Sequence, residues 1–166
     1  MTDKILSNRL HSHFSDLKFD IDIFRGDLTI TVPMKRMVEV LTFLKEDPEL
    51  QFGFLVDLTC IDNLDRDIAP RFELIYLLHS FRLGYRFRLR APIPGDSQDD
   101  VPTATGIWPA AGFPEREIFD LFGLKFPDHP NLKRILMPSW TEGHPLRKDY
   151  PLEGLGERET FDSEPE

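Results

Sequence analysis

The stretch "FPEREIFDLFG", residues 113–123, crowds three carboxylates and a guanidinium among large apolar side chains. Glu115 and Glu117 could act as a general acid and a general base if their surroundings drove their pKa values apart. Wound as a helix, the segment places Glu115 within the apolar arc of Ile118, Phe119, Leu121 and Phe122, while Arg116, Glu117 and Asp120 share the opposite strip. A carboxylate on an apolar arc must find donors or take up a proton. Glu115 could bond the free N–H groups of its own first turn, pair with an arginine across an interface, or serve as an acid with a raised pKa. Arg116 and Asp120, four residues apart, predict an ion pair along the helix. No nucleophile, histidine base or metal-ligand cluster lies close in sequence, which favours a structural role for Glu115. A free-standing hydrolase built on Glu115 or Glu117 is the rival reading.

The other reactive residue types carry weaker signals. Cys60, the single cysteine, sits in the apolar run "FGFLVDLTCI" and reads as a small buried hydrophobe. One thiol holds neither an internal disulfide nor an iron–sulfur cluster. His129 and His144 each precede proline and stand fifteen residues apart, so they read as turn-fixing hydrogen bonders rather than zinc ligands. "GLG" at 154–156 lacks the preceding strand and third glycine of a dinucleotide site. Net charge is -9, which argues against a nucleic-acid partner and against direct contact with anionic lipid. No apolar run approaches the ~20 residues of a membrane span, and the first twenty residues carry no secretion signal.

The elements that must position these residues follow from periodicity. Lys4–Phe14 predicts a short amphipathic helix. "LKFDIDIF" and "LTITV", joined by "RGD", predict a hairpin, the first strand half-buried. Pro33 opens a helix with Met34, Met37, Val38, Leu41 and Leu44 on its core face. "FGFLVDLTCI" predicts a central strand. "RFELIYLLHSF" and "YRFRLRAPI" predict a second hairpin around Leu83–Gly84, the latter strand carrying Arg86, Arg88 and Arg90 on one face. That stripe reads as a solvated face, or as a docking surface for an acidic partner. "TATGIWPAAG" predicts a short helix before residues 113–123, where Pro114 stands at the first position and Gly123 at the C-cap. The fold class is α+β, a small mixed sheet with packed helices over residues 1–123.

Beyond Leu124, prolines recur at 127, 130, 138, 145 and 151, which excludes a long helix. Yet Phe126, Leu132, Ile135, Leu136, Met137, Trp140, Leu146 and Tyr150 make the segment too apolar for a disordered linker. It predicts an extended, Pro-rich, partner-binding arm over 124–152, reaching at most about 90–100 Å. Trp140, Arg134, Arg147 and Lys148 are of the types that anchor interfaces. The competing reading folds this segment back over its own domain. Residues 153–166 form an acidic, flexible tail.

"EREIFDLFGLKFPDHPNLKRILMPSW" followed by "GHPLRKDYPL" resembles the signature of the 30-kDa-type subunit of NADH–quinone oxidoreductase, respiratory complex I. The resemblance covers about residues 108–152. It implies a non-catalytic scaffold of the peripheral arm, in a complex that passes electrons from NADH to quinone and moves protons. It implies no cofactor in this chain, with FMN, iron–sulfur clusters and quinone held by partner subunits. The implied partners are the large quinone-site subunit and the cluster-bearing subunits, in a hetero-oligomer on the cytoplasmic side of a bacterial inner membrane. A membrane-bound hydrogenase or ferredoxin-fed complex is the alternative host. The family's motif falls on Glu115, Arg116, Glu117, Asp120, Gly123, His129, Pro130, Arg134, Trp140, Gly143, His144, Pro145, Leu146, Arg147, Lys148, Asp149 and Tyr150. Phe119 stands where many members have Tyr, and Lys133 where Arg is common.

Overall fold

A computed structural model describes residues 2–64, 66, 70–95 and 98–155. Most of the acidic tail, 156–166, lies outside the described residues. The element order is α1 (Thr2–His13), β1 (Asp20–Phe24), β2 (Asp27–Thr31), α2 (Met37–Glu46), β3 (Phe54–Asp62), β4 (Phe72–Ser80), β5 (Tyr85–Ile93) and α3 (Gly112–Phe122). The strands form one mixed sheet in the order β1-β2-β5-β4-β3. The β2–β5 pairing is parallel and the rest are antiparallel. The fold is α+β.

Side-chain periodicity explains the layers. Leu6 and Leu10 of α1, with Phe14 just past its end, recur every four residues and are buried. Leu74, Tyr76 and Leu78 of β4 alternate with outward residues, as do Phe87, Leu89 and Ala91 of β5. These positions join α2 and α3 in one core cluster that extends to Leu124 and Phe126. The β1–β2 turn is Arg25–Gly26, both at positive φ (52° and 89°), the backbone of a tight two-residue hairpin.

Several sequence expectations need correction. The "FGFLVDLTCI" strand, β3, is an edge strand, not a central one. Its run looks continuous because the register shifts between Leu55 and Asp57, leaving Val56 as an extra, exposed residue. Strand β2, after the "RG" turn, also pairs with β5, so β1 becomes the other edge, and Ile23 and Phe24 are exposed. Around Pro33 the helix starts late: Pro33 is extended, Met34–Arg36 is a 3₁₀ turn, and α2 follows. The helix expected from "TATGIWPAAG" is a single 3₁₀ turn, Pro109–Ala111, leading into α3.

Candidate assembly interface

Helix α3 ends where Gly123 adopts φ 73°, a left-handed conformation that glycine takes without steric cost. A helix leaves its last four carbonyls without partners inside the helix. Here each one has a partner. Phe119 O accepts from the Gly123 N–H at 3.0 Å. The Asp120 carbonyl accepts from His144 Nδ1 at 2.8 Å. Leu121 O accepts from the Leu146 N–H at 3.0 Å. Phe122 O accepts from Arg147 Nε at 2.5 Å. Three residues of "GHPLR" therefore cap the helix one carbonyl after another. The Arg147 cation also lies at the negative end of the helix dipole. A Cβ on Gly123 would lie 2.5 Å from the His144 ring and 2.9 Å from Arg147. The glycine thus serves both the cap and the close approach of the tail.

Asp120 is the hub on the side of α3 facing the tail. Its side chain is fully buried. Oδ2 accepts from the backbone N–H groups of Ile135, Leu136 and Met137 at 2.8–2.9 Å, and Oδ1 accepts from Arg134 Nη1 at 2.8 Å. Burial opposes its charge, but the three amides and the guanidinium outweigh that penalty and hold the carboxyl below its ordinary value. Arg134 also donates to Gly143 O at 3.2 Å, tying one turn of the tail to the next. Gly143 takes φ 78°, with the Tyr150 ring 2.9 Å from where a Cβ would stand.

The predicted Arg116–Asp120 pair does not form. Arg116 donates instead to the carbonyls of Lys133 and Arg134 at 3.0 and 3.1 Å. An exposed i,i+4 pair contributes only a few tenths of a kcal/mol, whereas a buried carboxylate with four donors is held by several charge-assisted hydrogen bonds.

Glu115 is fully buried and uses neither its own first turn nor an arginine. It accepts from Thr103 Oγ1 and, at 2.6 Å, from the Ala104 N–H, both in the loop before α3. Burial raises its pKa, and those two bonds only partly counter it. Glu117 is exposed, so the two glutamates do not share a site and the paired-carboxylate hydrolase loses its geometry. The His129 ring donates from Nε2 to Gly112 O and accepts at Nδ1 from the Asn131 N–H, both at 3.0 Å, which assigns its tautomer. Pro130 is exposed beside it.

A second tie joins the tail to the sheet, through residues that the sequence reading missed. Asp62, at the inner end of β3, has a fully buried side chain. Arg71 grips it with two bonds of 2.9 and 2.8 Å, and grips Asp149 of the tail with two more of 2.9 and 2.7 Å. The Lys148 N–H donates to Asp62 Oδ2 at 2.9 Å. Arg71 and Arg147 both lie against the Phe72 ring, at 4.7 and 5.4 Å. The missed signal was present in the alternation: Leu58, Cys60 and Asp62 share one face of β3, so a carboxylate falls on an apolar face there, as it does at Glu115.

The outer side of the tail is different. Trp140 is 64% exposed, and Leu136, Leu146 and Leu152 are exposed too. Trp140 and Pro145 line a groove of about 540 Å³ together with Met137, Leu146, Arg147, Lys148 and Tyr150. Thr141 Oγ1 is buried beneath it with no partner among the described residues. Cys60 is buried, and desolvation pushes its thiol up to about 12, so it is no thiolate nucleophile. Among the described residues no group of three or more His, Cys, Asp or Glu could hold a metal ion.

The family model described as "Respiratory-chain NADH dehydrogenase, 30 Kd subunit" matches residues 30–156. The chain belongs to this family. The corresponding NADH-quinone oxidoreductase subunit of Roseiflexus sp. (strain RS-1) is 47% identical over 144 residues, 87% of this chain and 81% of the relative. That of Geobacter sulfurreducens is 41% identical over 146 residues, 88% of each chain. The solved "Nqo5 of the trypsin-resistant fragment (1-134)" superposes with a TM-score of 0.67 at 30% identity, over 76% of this chain and 99% of the fragment. A chain of an archaeal membrane-bound sulfane sulfur reductase shares the fold, with a TM-score of 0.73 at 22% identity, over 100% of this chain and 96% of that one. In this 30 Kd subunit, the matched span includes the α3 hub and the whole tail to residue 155. Among the described residues, no helix is long and apolar enough to cross a membrane.

Proposed function

We propose that this chain is a scaffold subunit of the peripheral arm of a proton-translocating NADH–quinone oxidoreductase, and that it takes no part in the redox chemistry. The observation that carries this reading is the two-sided tail. Its inner side is fixed by the α3 carbonyls, Asp120 and the Asp62–Arg71–Asp149 relay. Its outer side leaves Trp140, Leu136 and Leu152 in water, a costly arrangement for a segment that so many bonds hold in place. In this reading the domain presents a preshaped surface, and partner subunits cover it. Preordering the tail lowers the entropic cost of docking.

FMN, iron–sulfur clusters and quinone belong, in this reading, to the partners, chiefly the large quinone-site subunit and the cluster-bearing subunits. The complex would sit on the cytoplasmic side of the bacterial inner membrane, with this chain held there peripherally through its neighbours. Trp140 is of the anchoring type for such contacts. The test is affinity purification through a tag on this chain after mild detergent extraction. Recovery of NADH–quinone activity with flavin and iron supports the scaffold. Recovery of the chain alone, or NADH oxidation by the purified chain, overturns it.

A further inference from the structure

The tail accounts for one side of the molecule and leaves the outer sheet face unexplained. Residues from all three helices join one core cluster with the inward side chains of the strands. The register fixes what the opposite face presents. Arg90 stands beside Ile75, Arg88 beside Leu77 and Arg86 beside His79. His79 in turn stands beside Phe54 of the edge strand. An arginine column therefore runs alongside Ile75, Leu77 and His79, and Asp57 of the edge strand stands beside Leu77 on the same face.

These side chains are half-buried or exposed, and at one end they gather into an aromatic group. Phe81 is 76% exposed, with its ring 4.7 Å from His79 and 5.7 Å from Phe54. Arg88 pairs with Asp27, whereas among the described residues Arg86 and Arg90 have no ion pair. A shallow notch of about 140 Å³ opens between Arg86, Arg88 and Leu77, with room for one side chain. Aromatic groups beside unpaired arginines match the composition of interface anchors. Three guanidiniums on one strand face repel one another unless carboxylates meet them.

We propose that this open sheet face is a second docking surface, which receives an acidic amphipathic helix of a partner subunit. A helix is about 10 Å across and neighbouring strands lie about 4.8 Å apart, so one helix laid along the sheet covers the β5 and β4 columns together. Apolar side chains of the partner would cover Ile75, Leu77 and Phe54, and its carboxylates would meet Arg86 and Arg90. A second copy of this chain is a poor occupant, because a two-fold contact uses the same patch on both chains and so brings more guanidiniums rather than a row of carboxylates. The proposal rests on the scaffold reading but uses a surface distinct from the tail.

The experiment places a photoreactive benzoylphenylalanine at Phe81 in one version of the intact complex, and at Trp140 in another. Crosslinked peptides are then sequenced. A Phe81 crosslink to an acidic helical segment of another subunit supports the proposal. A crosslink to lipid, a crosslink to a second copy, or no crosslink at Phe81 while Trp140 still captures a neighbour overturns it and leaves the scaffold standing. Failure at both positions overturns both. As a second measurement, Arg86→Glu with Arg90→Glu should speed release of the chain from the complex about tenfold, with the unfolding midpoint of the full isolated chain unchanged. Unchanged release would sink the proposal.

Discussion

Replacing Asp120 with alanine isolates the contribution of the hub. The substitution removes the acceptor of three backbone N–H groups and the partner of Arg134. A hydrogen bond to a charged group contributes about 1.5–3 kcal/mol, so four would sum to roughly 6–12 kcal/mol if nothing relaxed. Relaxation is available here. Ile135 and Leu136 are exposed, and Arg134 is partly so, which lets water reach the freed donors. The cost should therefore approach that of breaking one buried pair, about 3–5 kcal/mol. That loss falls on the docking of the tail, not on the sheet, because the donors all belong to residues 134–137. At 1.4 kcal/mol per tenfold, the tail should open about two to three and a half powers of ten more often. Amide hydrogen exchange reads this directly: the amides of Ile135, Leu136 and Met137 should lose protection by that factor, while β4 and β5 keep theirs. Unchanged protection at 135–137, or equal loss throughout the sheet, would refute the hub.

Four further outcomes follow from the same geometry. Gly123→Ala should destabilise the chain by about 1–3 kcal/mol in urea, through the left-handed backbone and the clash with His144, and should shift the His144 NMR signals. Arg71→Ala should cost about 3–5 kcal/mol in the same assay, since it leaves Asp62 buried without its cation, and Arg71→Lys should recover only part. Glu115→Gln should change the pH dependence of stability. Its folded pKa is raised above 4.5 by burial, so Glu115 contributes stability that is complete below pH 4.5 and is lost as pH rises, and the glutamine variant should gain on the parent as pH rises above 4.5. His144 has the opposite sign: burial holds its folded pKa below 6.5, so its contribution is complete above 6.5 and falls away on acidification. Exchange at the Leu146 amide should speed up as pH drops below 6.5, after correction for intrinsic rates, and His144→Gln should remove that dependence.

Much of the fold was legible because its signals are local. Alternation marked β4 and β5, the four-residue spacing marked α1, and Gly123 marked the end of α3. Sheet order was not legible, because the parallel β2–β5 pairing joins strands far apart in sequence and turns the apolar β3 into an edge. The oddness of Glu115 was visible, but its donors were not, since Thr103 and Ala104 come from a loop without a pattern. The helix wheel put Asp120 in the polar strip. It could not show that a tail would cover that strip and bring four donors. The motif "GHPLRKDY" stood out by residue type, yet its role as a carbonyl-by-carbonyl cap depends on where α3 ends in space.

The central claim is that partner subunits cover the outer side of the tail. Hydroxyl-radical footprinting tests it most directly, on the full isolated chain and on the assembled complex. Trp108, only 4% exposed, is the internal reference for Trp140. Oxidation of Trp140 should be high in the isolated chain and fall to the Trp108 level in the complex. Equal oxidation of Trp140 in both states would contradict the account.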